Sequence, residues 1–186
     1  MNPLREIITN GLGTSCFFYK FDGYALKIER WNSPTLIEEK LHERELVALE
    51  MIQGFDWAPK VLGVMKKARA ILMKDAGERL TIHNMPSDAI DQITRIYDDL
   101  ESIKLRHDDV RMHEFVVDSD GKITLCDWGW CSMWVDKVGG ERDPSLGGHE
   151  GVSTKLKPLH CSKTKEEIIE IITNPDKYYD TIDWRK

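Results

Sequence analysis

The segment from His107 to Gly129 restricts what this chain of 186 residues can fold into more than any other part of its sequence. It reads HDDVRMHEFVVDSDGKITLCDWG, in which two apolar runs flank Asp-Ser-Asp-Gly and predict a tight β-hairpin. Asp109 and Glu114 precede the hairpin and Asp127 follows it, so the hairpin brings acidic groups from its two ends together. Carboxylate oxygens arranged in this way suit a hard cation such as Mg²⁺. The alternative is an acidic hairpin on the protein surface.

This block resembles the catalytic loop and the metal-binding loop of protein kinases. His107 and Asp109 match the His-x-Asp of the catalytic loop, and Asp127 matches the aspartate of Asp-Phe-Gly, with Trp128 in place of phenylalanine. The resemblance implies that Asp109 accepts the proton of the substrate hydroxyl, and that Glu114 and Asp127 hold the metal.

Three further positions decide how far this resemblance reaches. Arg111 stands where serine/threonine kinases have a lysine that contacts the transferred phosphate, which implies a catalytic role for Arg111. Glu114 replaces the family's asparagine; it adds a negative charge and either preserves the metal site or alters its metal preference. Asp108 replaces the arginine that normally engages a phosphate on the activation loop, so we expect no regulation of that kind.

The string NGLGTSC near the N-terminus resembles the glycine-rich loop of the same family. In that loop, backbone N–H groups approach the nucleotide phosphates closely because glycine has no side chain. Gly11 and Gly13 match two of the glycines, whereas Cys16 stands where a third would be. A simple turn would account equally well for the two glycines taken alone.

Lys27 lies in YALKI, which is similar to the Val-Ala-Ile-Lys strand of kinases. A lysine in an apolar strand either extends to water or needs an anionic partner. The resemblance implies that this partner is the ATP phosphates together with one carboxylate. Glu45 directly precedes an apolar run in HERELVALEMI and is the preferred carboxylate, while Glu38, Glu39 and Glu43 stay open as alternatives.

The stretch AILMKDAGERL resembles the last strand of the kinase small lobe and the hinge that follows it. The resemblance implies that Met73 lies at the back of the adenine pocket. It also implies that the backbone groups of Lys74, Asp75 and Ala76 bind the adenine edge. An ordinary edge strand is the alternative for this stretch.

The order of these motifs and the hydrophobic patterns between them predict an α+β fold. Strands are predicted over 16–21, 24–28, 60–65 and 69–73, with a hairpin turn at Asp22-Gly23. Helices are predicted from Ser33 to Gly54, over 86–105 with Ile90, Ile93, Ile96, Leu100 and Ile103 on one stripe, and over 165–172 before Asn174-Pro175. The resemblance implies a bilobal protein-kinase-like fold, with an antiparallel-sheet small lobe at 1–75. Because the match decays after Gly129, it implies a trimmed helical large lobe at 76–186.

Charge and hydrophobicity exclude several other classes of protein. The formal net charge is −6, and the chain has no basic stripe of the kind that binds nucleic acids. No stretch approaches the roughly 18 to 20 apolar residues that cross a bilayer, and the N-terminus does not resemble a signal peptide. We therefore expect a cytoplasmic protein, in its own cell or in a host cell, without nucleic-acid or membrane partners.

The resemblance implies a phosphotransferase that uses ATP and Mg²⁺, with Mn²⁺ as the alternative metal. A Ser/Thr-type protein kinase with a protein substrate is the leading interpretation. A pseudokinase, which would bind a regulatory partner protein without transferring phosphate, is the second. A small-molecule kinase of the aminoglycoside type shares the His-x-Asp and metal-aspartate pattern. It is the third interpretation, because it requires a helical substrate lobe for which this chain is short.

Overall fold

The computed structural model describes residues 16–30, 40–134, 142–143 and 162–175, with the backbone alone for 132–134 and 142–143. The strands of this part are β1 (Cys16–Phe21), β2 (Tyr24–Glu29), β3 (Val61–Met65), β4 (Ala70–Lys74), β5 (Glu78–Arg79), β6 (Leu105–His107), β7 (Phe115–Val117), β8 (Ile123–Leu125), β9 (Cys131–Trp134) and β10 (Arg142–Asp143). Its α-helices are α1 (Leu41–Ile52), α2 (Ala89–Ser102) and α3 (Lys165–Thr173). Short 3₁₀ turns occur at Lys66–Ala68 and Met112–Glu114. The mixture of helices and antiparallel sheets confirms the predicted α+β class.

Four strands form an antiparallel sheet in the order β1-β2-β4-β3. The predicted hairpin between β1 and β2 is confirmed, and its turn residues Asp22 and Gly23 have φ values of 46° and 78°. Two successive positive φ values match the twist of the flanking strands, which is why Asp-Gly is favoured at this kind of turn. On β2 the buried side chains are Ala25, Lys27 and Glu29, so the face that carries Lys27 is directed into the protein.

Helix α1 is shorter than the sequence pattern predicts. The predicted helix runs from Ser33 to Gly54, whereas the helix in the structure begins at Leu41 and ends at Ile52. Lys40 has a φ of 53°, and a left-handed residue cannot continue a right-handed helix, so the prediction of one helix through this position is wrong. Residues 33–39 lie outside the described part of the chain.

Helix α2 packs through a stripe that differs by one residue from the predicted stripe. Ile93, Ile96 and Leu100 are buried as predicted, but Ile90 is 37% exposed. Ala89 is buried instead, because the stripe continues from Ile93 to the position four residues earlier, at the first residue of the helix. The prediction that Ile90 faces the core is therefore wrong.

Two smaller sheets complete the described part. The predicted hairpin after Glu114 is confirmed as β7 and β8, and β5 pairs with the other edge of β7. Strand β9 pairs with β6 and β10. One hydrophobic core includes Leu49, Ile71, Ile93, Trp128 and Ile168. It therefore joins α1 and the first sheet to α2, to the segment after β8 that contains Trp128, and to α3. The division into lobes at 1–75 and 76–186 stays a prediction.

No helix among the described residues has the length and apolar character needed to span a membrane.

Candidate active site

Lys27 lies between two carboxylates that come from distant parts of the chain. Its Nζ is 2.8 Å from each carboxylate oxygen of Glu45, on α1. It is also 2.6 Å from Oδ1 of Asp127, which follows β8. Among the alternatives to Glu45, Glu43 instead pairs with Arg69, and Glu38 and Glu39 lie outside the described residues. The structure thus brings together the lysine, the preferred helix carboxylate and the metal-loop aspartate.

One ammonium group and two carboxylates leave this cluster with an excess of negative charge. Burial lowers the pKa of Lys27, but the charges of Asp127 and Glu45 outweigh it and raise that pKa well above its usual value. The Lys27 charge holds the pKa of Asp127 below its usual value. Burial raises the pKa of Glu45, and Lys27 offsets only part of this effect. The Asp127 side chain is 37% exposed, so the negative charge is accessible to a cation.

Asp109 lies two residues beyond the end of β6 and is held by Arg111. Nη2 of Arg111 is 2.7 Å from Oδ2 of Asp109 and 3.1 Å from Oε1 of Glu114. Burial raises the pKa of Asp109 to about 6, against the opposing charge of Arg111. The charge of Glu114 contributes to the same rise. A carboxyl group with this pKa is mostly ionised at neutral pH. Because its pKa is also close to neutral pH, the group accepts a proton readily.

His107 connects the catalytic-loop segment to the metal-loop segment. One ring nitrogen, Nε2, lies 2.9 Å from the carbonyl oxygen of Cys126, and Nδ1 accepts a weak hydrogen bond from the N–H of Asp109 at 3.3 Å. Because Nε2 faces a carbonyl oxygen and Nδ1 accepts a hydrogen bond, the ring proton is assigned to Nε2. The ring also meets Trp128 edge to face, with centroids 4.8 Å apart, and Trp128 is fully buried. Trp128, which stands at the phenylalanine position of the motif that this segment resembles, therefore packs directly on His107.

Glu114 and Asp127 are the predicted metal ligands, and both contact protein cations. Asp127 contacts Lys27, while Glu114 accepts from Arg111 and lies 2.9 Å from Nε2 of His113. The described residues contain no group of three or more His, Cys, Asp or Glu side chains that could hold a metal by itself. Magnesium, however, is commonly bound by one or two carboxylates together with substrate phosphates and water. The two carboxylates therefore fit Mg²⁺ as part of a nucleotide complex.

The predicted adenine-binding segment is only partly free to bind a ligand. Met73 is buried on β4, opposite Ala25. The N–H of Lys74 donates to the carbonyl of Lys60, and that of Asp75 donates to the carbonyl of Gly23, both at 2.9 Å. Among the three predicted backbone donors, the N–H of Ala76 alone has no acceptor within the described residues.

Lys20 fastens this segment to the first sheet. Its Nζ contacts Oδ1 of Asp75 at 2.9 Å and donates to the carbonyl oxygen of Gly77.

The predicted phosphate-binding residues Gly11 and Gly13 lie outside the described part of the chain.

Sequence reasoning did not identify the residues that hold helix α1 in place. The carboxylate of Glu29 accepts from the N–H of His42 at 3.1 Å and from Nε of Arg69. The same guanidinium donates to both oxygens of Glu43, at 2.9 and 3.0 Å. The start of α1 is thereby attached to β2 and to the residue before β4, which holds Glu45 against Lys27. These contacts join residues 13 to 40 positions apart, and no sequence motif predicts them.

The sequence matches no protein-family model and no curated protein. A solved structure of the bifunctional kinase-methyltransferase WbdD is similar, with a TM-score of 0.50 and 23% identity over 66% of this chain and 31% of that chain. WbdD with the kinase inhibitor LY294002 also matches (TM-score 0.48, 24% identity, 64% of this chain and 31% of that chain), as does monomeric WbdD (0.48, 24%, 63% and 32%). This chain thus spans about a third of the length of WbdD. The likeness is one of fold, and the α+β arrangement is consistent with a kinase-like fold.

Proposed function

We propose that this chain is an ATP- and Mg²⁺-dependent phosphotransferase that acts on a hydroxyl acceptor, in first place a serine or threonine of a protein. The observation that carries the proposal is the bridge that Lys27 makes between Glu45 and Asp127. One carboxylate is enough to neutralise a lysine of purely structural function. Here a second carboxylate, that of Asp127, is 37% exposed and leaves negative charge directed toward a ligand. The kinase-like fold supports the same conclusion.

In this proposal the residues of the bridge orient the nucleotide. Lys27 contacts the phosphates of ATP, and Glu45 holds Lys27 in the orientation that this contact requires. Asp127 and Glu114 hold Mg²⁺ or Mn²⁺, which, when bound, neutralises the charge on the phosphate oxygens. The N–H of Ala76 is available for the adenine edge. Such positioning supplies most of the rate enhancement in phosphoryl transfer.

Asp109 is the proposed proton acceptor. The oxygen of the acceptor hydroxyl forms a bond to the γ-phosphorus, while the bond from that phosphorus to the bridging β–γ oxygen breaks and ADP leaves. The hydroxyl proton passes to a carboxylate oxygen of Asp109, whose pKa of about 6 suits this exchange. Arg111 orients Asp109 and contacts the transferred phosphoryl group; its Nε has no acceptor among the described residues.

A second candidate, a pseudokinase that binds a partner protein without transferring phosphate, rests on a different observation. Each predicted metal ligand already contacts a cation of the protein: Asp127 contacts Lys27, and Glu114 contacts Arg111. These contacts can stabilise both carboxylates in the absence of a metal.

Transfer of labelled γ-phosphate distinguishes the two candidates. The chain is incubated with labelled ATP and Mg²⁺ or Mn²⁺, alone and with a generic basic protein, beside Asp109→Asn and Asp127→Asn. Asp120→Asn is the matched control, since this aspartate is exposed in the hairpin turn. Label that both site variants lose and the control keeps supports the phosphotransferase. Absence of label with either metal, together with intact folding, favours the pseudokinase.

A further inference from the structure

Ser162 makes two hydrogen bonds to the backbone of the catalytic-loop segment, one on each side of Asp109. Its Oγ donates to the carbonyl oxygen of His107 at 3.0 Å and accepts from the N–H of Val110 at 3.2 Å. The next residue, Lys163, donates its own N–H to the carbonyl of Val110 at 2.8 Å. Ser162 is 52 residues or more away from these partners along the chain, so the contact is tertiary.

The segment that carries Ser162 is itself anchored to the protein interior. The carbonyl of Lys163 accepts from the hydroxyl of Tyr97, on α2, at 2.8 Å. Thr164 and Glu167 form a reciprocal capping box that starts α3. Helix α3 in turn buries Ile168 and Ile171 in the common core. The segment that directly follows Ser162 is therefore anchored to α2 and to the core, which fixes the position of the Ser162 hydroxyl.

The backbone of the loop has one other strong anchor, the N–H of Asp108, which donates to the carbonyl of Trp130 at 2.8 Å. Within the described part of the chain, the N–H of Asp109 makes only the 3.3 Å contact with Nδ1 of His107. Val110 is 2% exposed, so without the Ser162 hydroxyl its N–H would be buried without an acceptor. The loop would then shift to regain a partner, since an unsatisfied buried donor is costly. A shift of about 1 Å at a reacting group can reduce a rate by a factor of about 100.

We infer that Ser162 is a positioning residue that clamps the backbone on both sides of Asp109 and so fixes the proton acceptor. The inference rests on the proposed function, in which Asp109 accepts the hydroxyl proton. Ser162 touches neither the nucleotide nor the acceptor in this scheme. Its effect should therefore fall on kcat and leave the KM for ATP unchanged.

The test compares Ser162→Ala with Ser162→Thr, which keeps a hydroxyl at the same position. Ser102→Ala is the matched control, because Ser102 also donates to a backbone carbonyl, at 2.6 Å, but at the exposed end of α2. Hydrogen exchange of the Val110 amide is measured first, and phosphate transfer second. We expect Ser162→Ala to speed the exchange about tenfold and to lower kcat about tenfold. We expect Ser162→Thr to restore both values and the control to change neither.

The two readouts separate failure of this inference from failure of the proposed function. Unchanged exchange at Val110 in Ser162→Ala overturns the clamp. Faster exchange with unchanged kcat, or a change in the KM for ATP instead, overturns the positioning role. If the wild-type protein transfers no phosphate, the proposed function fails. Exchange at Val110 then decides alone whether Ser162 holds the loop.

Discussion

The Nζ of Lys27 lies 2.6 Å from Oδ1 of Asp127, although the two residues are 100 positions apart in the sequence. This contact ties the first sheet to the loop that follows the β7–β8 hairpin. Because Glu45 contacts the same ammonium group from α1, three separate segments meet at one charge. Both contacts of Lys27 can therefore form only when these three segments are packed together.

Replacing Lys27 with methionine should abolish phosphate transfer and destabilise the fold. Removing one partner of a buried ionic cluster leaves the other charges uncompensated, at a cost of about 3–5 kcal/mol. Lys27 holds the pKa of Asp127 below its usual value, so this pair contributes stability above the pKa of the unfolded aspartate and loses it as the pH falls. The difference in unfolding free energy between Lys27→Met and wild type should thus be larger near neutral pH than at a pH below the ordinary aspartate value of 3.8.

Urea unfolding at about pH 7 and at about pH 3 measures this difference. The control is Lys60→Met, because Lys60 is exposed and its side chain pairs with no carboxylate among the described residues. A destabilisation that is the same at both pH values, or that the control shares, would contradict the assignment of the bridge.

The rate of transfer should fall as the pH drops through about 6, the pKa of Asp109. Below that pH the carboxylate is protonated and cannot accept the hydroxyl proton. Burial and the charges of Glu114 and Asp127 raise this pKa, whereas the charge of Arg111 lowers it. Arg111→Gln should therefore move the acid limb of the pH–rate profile to higher pH.

The profile is measured as kcat/KM against pH for wild type, for Arg111→Gln and for Arg95→Gln. Arg95 is the control because it also pairs with an aspartate, Asp56, but at an exposed site. An acid limb that stays in place in Arg111→Gln would remove Asp109 as the group that controls it.

The same raised pKa predicts that Asp109 costs stability in the folded protein at neutral pH. The folded pKa of Asp109, about 6, lies above its ordinary value of 3.8. The protonated carboxyl therefore favours the folded state below pH 3.8, and this contribution to the unfolding free energy is lost as the pH rises through 6. Asp109→Asn should therefore raise the unfolding free energy by about 1–2 kcal/mol at neutral pH, and by less in mild acid. Thermal unfolding at the two pH values checks this. Equal effects at both would contradict burial as the cause of the shift.

Features that depend on neighbouring residues could be predicted from the sequence, whereas features that depend on contacts between distant residues could not. The Asp22-Gly23 turn and helix α3 follow from neighbouring residues, and their predicted bounds agree with the structure within one or two residues. The break at Lys40 has no comparable signal, because lysine is an ordinary helix former. Arg69 and Ser162 act across long sequence separations through hydrogen bonds that depend on the assembled fold. Motif spacing locates the groups that would meet the substrate, but not the groups that hold them in place.

Gly77 should tolerate no side chain, because it approaches the β7–β8 hairpin at close range. Its φ is +106°, and an added Cβ would overlap the carbonyl oxygen of Val117 and lie 2.7 Å from Cα of Asp118. Gly77→Ala should therefore lower the unfolding free energy by more than about 2 kcal/mol. Gly63→Ala is the control, since a Cβ there meets nothing within 4 Å. Similar urea midpoints for the two variants would show that the hairpin can move away.

Glu114 has two alternative roles in the proposed site, as a ligand of the metal or as a structural partner of Arg111 and His113. As a ligand, its carboxylate must leave Arg111 and His113, which it contacts at 3.1 and 2.9 Å, to reach the cation. As a structural partner, it stays with them and contributes only to stability. We expect the first case. Glu114→Gln should then weaken Mn²⁺ binding in the presence of a non-hydrolysable ATP analogue about tenfold, because an amide lacks the negative charge that a divalent cation prefers.

Electron paramagnetic resonance of free Mn²⁺ measures this affinity without requiring turnover. Asp127→Asn should weaken binding further, since Asp127 carries the exposed carboxylate of the site, and Asp120→Asn should leave it unchanged. If Glu114→Gln lowers the melting temperature but leaves Mn²⁺ affinity intact, Glu114 serves Arg111 and His113 alone. Asp127 would then be the one protein carboxylate of the proposed pair on the metal.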